Sequence, residues 1–182
     1  MRYLIKFSYD GTYFFGYQKQ PGKRCVESEF EKALFSINDH KETKIVGAGR
    51  TDRGVHAKCQ CAHVDIDVDI TEYKLKCALN SLLPQDIHVF STEIVNKDFH
   101  ARFNAKKKTY KYYLNTGEYN PHERNYVYQF CHLLNINDME YAIKDFIGVH
   151  DFKSFVSDDD INLSYEREIY DAYIESKNDI LI

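Results

Sequence analysis

What most limits the folds open to this sequence is how its hydrophobic period switches, along the first ~100 residues, between two and about 3.6 residues per repeat. Tyr3-Leu4-Ile5-Lys6-Phe7-Ser8-Tyr9 has the bulk and aromatic content of a strand and is ended by Asp10-Gly11. Val26, Phe30, Ala33, Leu34 and Ile37 then recur at helical spacing, with Glu27, Glu29, Glu31 and Lys32 off that face. Lys44-Ile45-Val46-Gly47 reads as a short strand entering a glycine-punctuated loop that runs to Gly54. From Ala62 to Val68, Ala62, Val64, Ile66 and Val68 alternate with His63, Asp65 and Asp67, the pattern of a half-buried strand with one wet face. Thr71 is placed to cap a helix bearing Leu75, Ala78, Leu79 and Leu82, which Pro84 stops. Ile87 to Val95 reads as a further strand.

The succession strand, helix, strand, strand, helix, strand predicts an α+β, ferredoxin-like layer. A second, similar unit is expected to begin near Ala105. Within it, Thr109 to Leu114 reads as a strand and residues 116–125 as a polar loop. Asp138 opens an amphipathic pattern through Met139, Ala142, Ile143 and Phe146 that Gly148 closes, and Ile169 to Glu175 reads as a last strand. The expected division is 1–104 and 105–182.

The chain's 182 residues suffice for one domain or two small ones. No apolar run approaches membrane-spanning length, and the first residues lack a signal-peptide core and cleavage site. A cytoplasmic protein with no membrane partner is expected. Cys25, Cys59, Cys61, Cys77 and Cys131 are odd in number and form no Cys-x-x-Cys pair, so they read as free thiols. The net charge of −4 disfavours a nucleic-acid partner only until it is divided along the chain. Residues 1–111 hold 19 Lys and Arg against 14 Asp and Glu, and residues 112–182 hold 5 against 14. Phosphate binding needs local cations rather than a basic total.

The densest candidate site is Gly47-Ala48-Gly49-Arg50-Thr51-Asp52-Arg53-Gly54-Val55-His56. Taken alone, it also fits a glycine-rich turn with a solvated Asp. A dinucleotide fingerprint fails on spacing, because Asp52 stands where the third glycine belongs, and no Gly-Lys-Ser/Thr follows for a phosphate loop. What remains is one carboxylate flanked by Arg50 and Arg53. Arginines hold phosphates or pair with a carboxylate. A carboxylate beside an RNA backbone is otherwise repelled, so its presence there calls for a chemical reason. A rival constellation is His56, Cys59, Cys61 and His63. Cys-x-Cys on a flat strand places ligands poorly for a closed tetrahedron, so no metal is expected.

Gly49-Arg50-Thr51-Asp52-x-Gly54-Val55-His56 resembles the active-site loop of the TruA family of tRNA pseudouridine synthases. Further stretches match that family in order. They are Tyr9-Asp10-Gly11-Thr12-x-Phe14-x-Gly16-Tyr17-Gln18, Leu83-Pro84-x-Asp86-Ile87, Asp98-Phe99-His100-Ala101-Arg102-Phe103-x-Ala105, Lys108-x-Tyr110-x-Tyr112 and Gly148-x-His150-Asp151-Phe152-x-Ser154-Phe155. The family's usual Trp is Tyr17 here, and its usual Ala after the Asp is Arg53.

The resemblance implies a pseudouridine synthase fold, with two ferredoxin-like halves flanking an RNA-binding cleft, and a homodimer acting on the tRNA anticodon stem-loop. It implies Asp52 as nucleophile, Arg50 as the residue that takes the place of the extruded base, and Arg102 as the partner of Asp52. Tyr110 would stack on the uracil, although alternation alone would make it a strand aromatic in a core. Lys19, Lys23, Arg24, Arg53, Lys106, Lys107, Lys108 and Lys111 are candidates for gripping phosphates, against the reading that most charge runs are solvated surface. The reaction rearranges its own substrate, so no cofactor is expected. Family members continue past the strand matching Ile169–Glu175 into a segment resembling Phe-Leu-x-x-Met-Val-Arg, whereas this sequence stops at Ile182. The second half is therefore expected to be incomplete, and the 182-residue chain by itself weakly active or inactive and prone to associate. A noncatalytic RNA-binding module is the alternative.

Overall fold

A computed structural model of the chain describes residues 1–156 and 164–182. It divides into two compact units, Met1–Lys108 and Thr109–Ile182. The first unit runs β1 (Arg2–Tyr9), α1 (Val26–Ile37), β2 (Ile45–Gly47), β3 (Ala57–Asp65), α2 (Glu72–Leu82) and β4 (Ile87–Val95), the order expected from the switching period. The strands form one antiparallel sheet in the order β2-β3-β1-β4, in which β1 pairs with β3 with a register shift between Phe7 and Tyr9 and with β4 with one between Lys6 and Phe7.

One face of this sheet is dry. Tyr3, Ile5, Phe7 and Tyr9 of β1 alternate into a core shared with Ala62 and Val64 of β3 and Ile87 and Val89 of β4. Phe30, Ala33 and Leu34 of α1 and Leu75 and Leu79 of α2 cover it. Each fully buried Leu, Ile or Phe contributes about 1.5–3 kcal/mol. Both helices start where a side chain satisfies early backbone groups. The Thr71 hydroxyl accepts the Lys74 amide of α2, and the Ser28 hydroxyl accepts the Cys25 amide at the start of α1.

β3 differs from expectation at both ends. β3 starts at Ala57 rather than Ala62, because Tyr9, Phe7 and Lys6 of β1 pair with Ala57, Gln60 and Cys61. It ends at Asp65, because Asn38 Oδ1 accepts the amides of Asp67 at 2.9 Å and Val68 at 3.3 Å and draws that stretch out of the ladder.

The second unit is built from smaller pieces. β5 (Leu114–Asn115) pairs with β6 (Tyr128–Gln129) and with β10 (Ile180–Leu181), and β10 pairs with β9 (Ser176–Lys177). α3 (Ile136–Ile143) starts at an Asn135 cap and passes into a single 3-10 turn at Lys144–Phe146. β7 (Gly148–Asp151) pairs with β8 (Glu166–Ile169). The expected strand from Thr109 is confined to Leu114–Asn115. The expected strand over Ile169–Glu175 is displaced toward the N-terminus, because the ladder with β7 runs out where Gly148 meets Ile169. Among its described residues only Asn115 and Leu181 are buried.

Candidate active site

The Asp52 loop leaves β2 at Gly47 and enters β3 at Ala57. A second loop, following β1 over residues 10–18, is packed against it backbone to backbone. Thr51 accepts the Tyr17 amide on its carbonyl at 3.0 Å, and Phe14 accepts the Gly54 amide at 3.3 Å. The Thr51 hydroxyl lies 2.8 Å from Tyr9 Oη. Such proximity demands residues without side chains. A Cβ on Gly11 would stand 2.0 Å from the Val55 carbonyl oxygen. Gly16, at φ +99°, brings its Cα face to within van der Waals reach of the Thr51 carbonyl, where a Cβ would stand 2.8 Å away.

The loop is also tied to the sheet. Ala48 donates its amide to the Cys61 carbonyl at 2.7 Å, and the half-turn beyond it is held by Gln60 Nε2 donating to the Gly49 carbonyl at 3.0 Å. At the other end, His56 Nδ1 sits 3.1 Å from the Gly11 amide and 3.0 Å from Asp10 Oδ1. Asp10 Oδ1 also accepts from the Thr12 amide and hydroxyl. The tip carries the chemistry: Asp52, whose carbonyl accepts the Val55 amide in the turn at 3.2 Å, is exposed, as are Arg50 and Arg53. A rigid base thus presents one carboxylate and two guanidiniums to solvent.

The remaining candidates divide into free and engaged cations. The Arg53 guanidinium lies over the Phe15 ring at 4.5 Å, and Lys23 shares that ring at 4.5 Å. Arg24 is bound through both guanidinium nitrogens to Asp86, at 2.7 and 2.8 Å, and covers Phe14 at 4.1 Å. Lys19 is paired with Glu31 at 2.6 Å. Lys106, Lys107, Lys108 and Lys111 are exposed, and Lys108 Nζ stands 2.9 Å from where a Cβ on Gly49 would be.

Arg102 is exposed, and among the described residues it forms no ion pair with Asp52. Two solvated groups gain at most about 1 kcal/mol from pairing, too little to fix a long side chain. Tyr110 belongs to the second unit and is 69% exposed, outside any strand, so it is no core aromatic.

The Cys/His cluster does not assemble. Cys59 is exposed, while His63 is buried with Nδ1 accepting the Ala101 amide at 3.1 Å. Burial, then the neighbouring Cys59 thiol, push the Cys61 thiol up from its ordinary value. Among the described residues no three His, Cys, Asp or Glu side chains are grouped to hold a metal ion. No helix among them is long and apolar enough to cross a membrane. Sequence reasoning missed the support that Tyr9 and Gln60 give the Asp52 loop. Its legible signal was Gly11 and Gly16, two glycines within eight residues of the end of β1.

Residues 5–104 match the family model described as tRNA pseudouridine synthase. The tRNA pseudouridine synthase A of Limosilactobacillus reuteri is 47% identical over 159 residues, covering 86% of this chain and 62% of that protein. That of Bacillus subtilis is 47% identical over 157 residues, covering 85% and 64%. That of Streptococcus uberis is 42% identical over 181 residues, covering 97% and 72%. The chain therefore spans less than two thirds of the length of the first of these relatives. The matched residues contain both interlocked loops and the sheet that carries them, and the chain belongs to the tRNA pseudouridine synthase family.

Proposed function

We propose that the protein isomerises uridine to pseudouridine in the anticodon stem-loop of tRNA, with Asp52 as nucleophile. The observation that carries this reading is the exposed Asp52 carboxylate at the tip of a loop whose base is held by hydrogen bonds on two sides. The isomerisation breaks the bond from the sugar to N1 of uracil, turns the base, and rejoins the sugar at C5. A carboxylate suits the first step because positive charge develops at the anomeric carbon, as in glycoside chemistry. No group is gained or lost, so no cofactor enters the balance.

The target base has to leave its stack, at a cost of a few kcal/mol. Arg50, two residues before Asp52 and exposed, is suited to the vacated place. Arg102 pairs with Asp52 once bound RNA excludes solvent and strengthens their attraction. Tyr110 offers an exposed ring for the uracil to stack on. Lys106, Lys107, Lys108, Lys111, Lys19 and Arg53 meet phosphates, whereas Arg24 acts by shaping its loop through Asp86. In this reading the chain comprises a ferredoxin-like half, 1–104, and part of a second such half, 105–182. The whole protein is a cytoplasmic homodimer.

The test is to map pseudouridine in tRNA incubated with the chain and with a version extended to the length of its relatives. Asp52→Asn, nearly isosteric but a poor nucleophile, is expected to bind tRNA with wild-type affinity and to form no pseudouridine. Residual conversion above a small fraction of wild type removes Asp52 from the nucleophile's role. Binding of tRNA without conversion by any wild-type form leaves only a noncatalytic RNA-binding module.

A further inference from the structure

We infer that His63 and Arg2 are positioning residues for Arg102, fixing the Asp98–Phe103 segment on the open face of the sheet through contacts that require a neutral imidazole. The catalytic meaning of this inference rests on the proposed synthase activity.

The sheet face opposite the helices should be wet, and most of it is: along β3, Cys59 and Asp65 are exposed. His63 breaks the pattern at 5% exposure. It is covered by the chain after β4. The Ala101 amide, itself buried, donates to His63 Nδ1 at 3.1 Å, and the His100 ring centroid lies 4.7 Å from that of His63. Nδ1 accepts, so the ring carries its proton on Nε2, an assignment made from this geometry.

Arg2 makes the second tie. Its Nε and Nη2 donate to the two carboxylate oxygens of Asp65, its register partner on β3, at 2.9 and 2.7 Å. Its Nη1 donates to the carbonyls of Lys97 and Phe99, the latter at 2.8 Å. Within the segment, His100 Nδ1 accepts the Arg102 amide at 3.2 Å, and Asn104 Oδ1 accepts the His100 amide at 2.7 Å. The backbone on both sides of Arg102 is thus anchored while its side chain stays exposed. An arginine that must reach a carboxylate on another loop gains from such a fixed origin.

Protonating His63 would place a hydrogen on Nδ1 against the Ala101 amide and add a cation beside Arg2 and His100. The nearby acids, Asp65 and Asp98, are already drawn to Arg2, and Glu42 and Lys44, before β2, line a surface hollow shared with Arg2, His63 and Asp65. Lys41 and Asp67, also there, are paired with each other. Burial, then Arg2, then His100 lower the pKa of His63 below its ordinary value, with only Asp65 acting oppositely. The unfolded imidazole charges near pH 6.5 and the folded one lower. The contact's stabilisation is therefore complete above about pH 6.5 and is lost as pH falls through the folded value.

The test uses the chain extended to the length of its relatives. The protection factor of the Ala101 amide, measured by hydrogen exchange between pH 8 and pH 5, is expected to fall at least tenfold with acid. In His63→Gln, whose amide oxygen can accept the Ala101 amide but does not titrate, protection should be retained and insensitive to pH. In single-turnover reactions the wild-type rate should fall as pH drops from 8 to 5, and His63→Gln should match it at pH 8 without that part of the fall. His63→Phe should lower the rate about tenfold with unchanged tRNA affinity. Ala101 protection that stays constant from pH 8 to pH 5 in the wild type overturns the inference, as does wild-type turnover by His63→Phe. Absence of pseudouridine formation by the wild type would refute the proposed activity instead, while the exchange measurement would still decide the tie.

Discussion

Tyr17 carries a buried side-chain oxygen with no hydrogen-bond partner among the described residues. The residue is 2% exposed, and its ring and hydroxyl lie against the backbone of Gly47, where a Cβ would stand 2.7 Å from Oη. Burial, reinforced by Glu27, pushes its pKa far above the ordinary tyrosine value, so the hydroxyl stays a donor facing nothing. An unsatisfied buried hydroxyl costs about 1–3 kcal/mol, and removing it restores most of that. Tyr17→Phe, which keeps the ring, is expected to raise stability by about 1 kcal/mol. For the first unit, Met1–Lys108, that is a gain of roughly 4 °C in Tm, measurable by thermal unfolding. An unchanged or lower Tm would mean the hydroxyl has a partner in solution. The ring's placement directly beneath β2 makes Tyr17 a wedge under the Asp52 loop rather than a reactant.

At the scale of elements, the two loops that meet around Thr51 and Phe14 form one block, and Arg24 pins its outer edge. Its guanidinium bridges to Asp86 at the start of β4, where the Asp86 carbonyl also accepts the Asp10 amide at 2.9 Å. From sequence, Arg24 stood among the phosphate contacts. Its geometry separates it from the exposed lysines, and the two groups should respond oppositely to substitution. Arg24→Ala is expected to lower stability by about 1 kcal/mol and leave the salt dependence of tRNA affinity unchanged. Replacing Lys106, Lys107 and Lys108 together by Ala should leave stability unchanged and reduce the slope of log affinity against log salt by roughly 0.7–0.9 per lost phosphate contact. A triple variant with the wild-type slope would remove that patch from the interface.

The same block shows what could be read from the sequence. The Asp52 loop was legible because Gly49-Arg50-Thr51-Asp52-x-Gly54-Val55-His56 stands in order with the other family-like stretches, although alone it also fits a glycine-rich turn. Its support was not, because Tyr9 and Thr51 lie 42 residues apart and neither residue advertises the contact. α1, α2 and β4 followed their periods closely. Residues 57–61 of β3 did not look like a strand, because buried Gln60 occupies a core-facing position and spends its amide on the Gly49 carbonyl. Pairing with β1, not hydrophobic alternation, specifies that stretch.

At the scale of the whole molecule, the contrast between the two units is one of burial. The first has a continuous core of aromatic and branched side chains under two capped helices. In the second, α3 buries none of its residues, and Leu133, Tyr141, Val149 and Phe155 are 95%, 75%, 63% and 72% exposed. Its ring contacts among the described residues include Phe146 against Phe152 and Phe155. Its acidic excess keeps this surface hydrated without adding cohesion. Opening free energies follow buried apolar contact, so the units should not open together. Hydrogen exchange on the 182-residue chain is expected to show β1, β3 and β4 protected to the global limit, while amides of α3 and the β7–β8 pair exchange at least a hundredfold faster. A hydrophobic dye should bind the same chain at temperatures where the first unit is still folded. Extending the chain to the length of its relatives should slow exchange in α3 and suppress dye binding, if the added residues cover that apolar surface. Equal protection in both units of the 182-residue chain would mean that the second unit is stabilised by contacts beyond its own small core, and exchange repeated across a range of protein concentrations would identify self-association as their source.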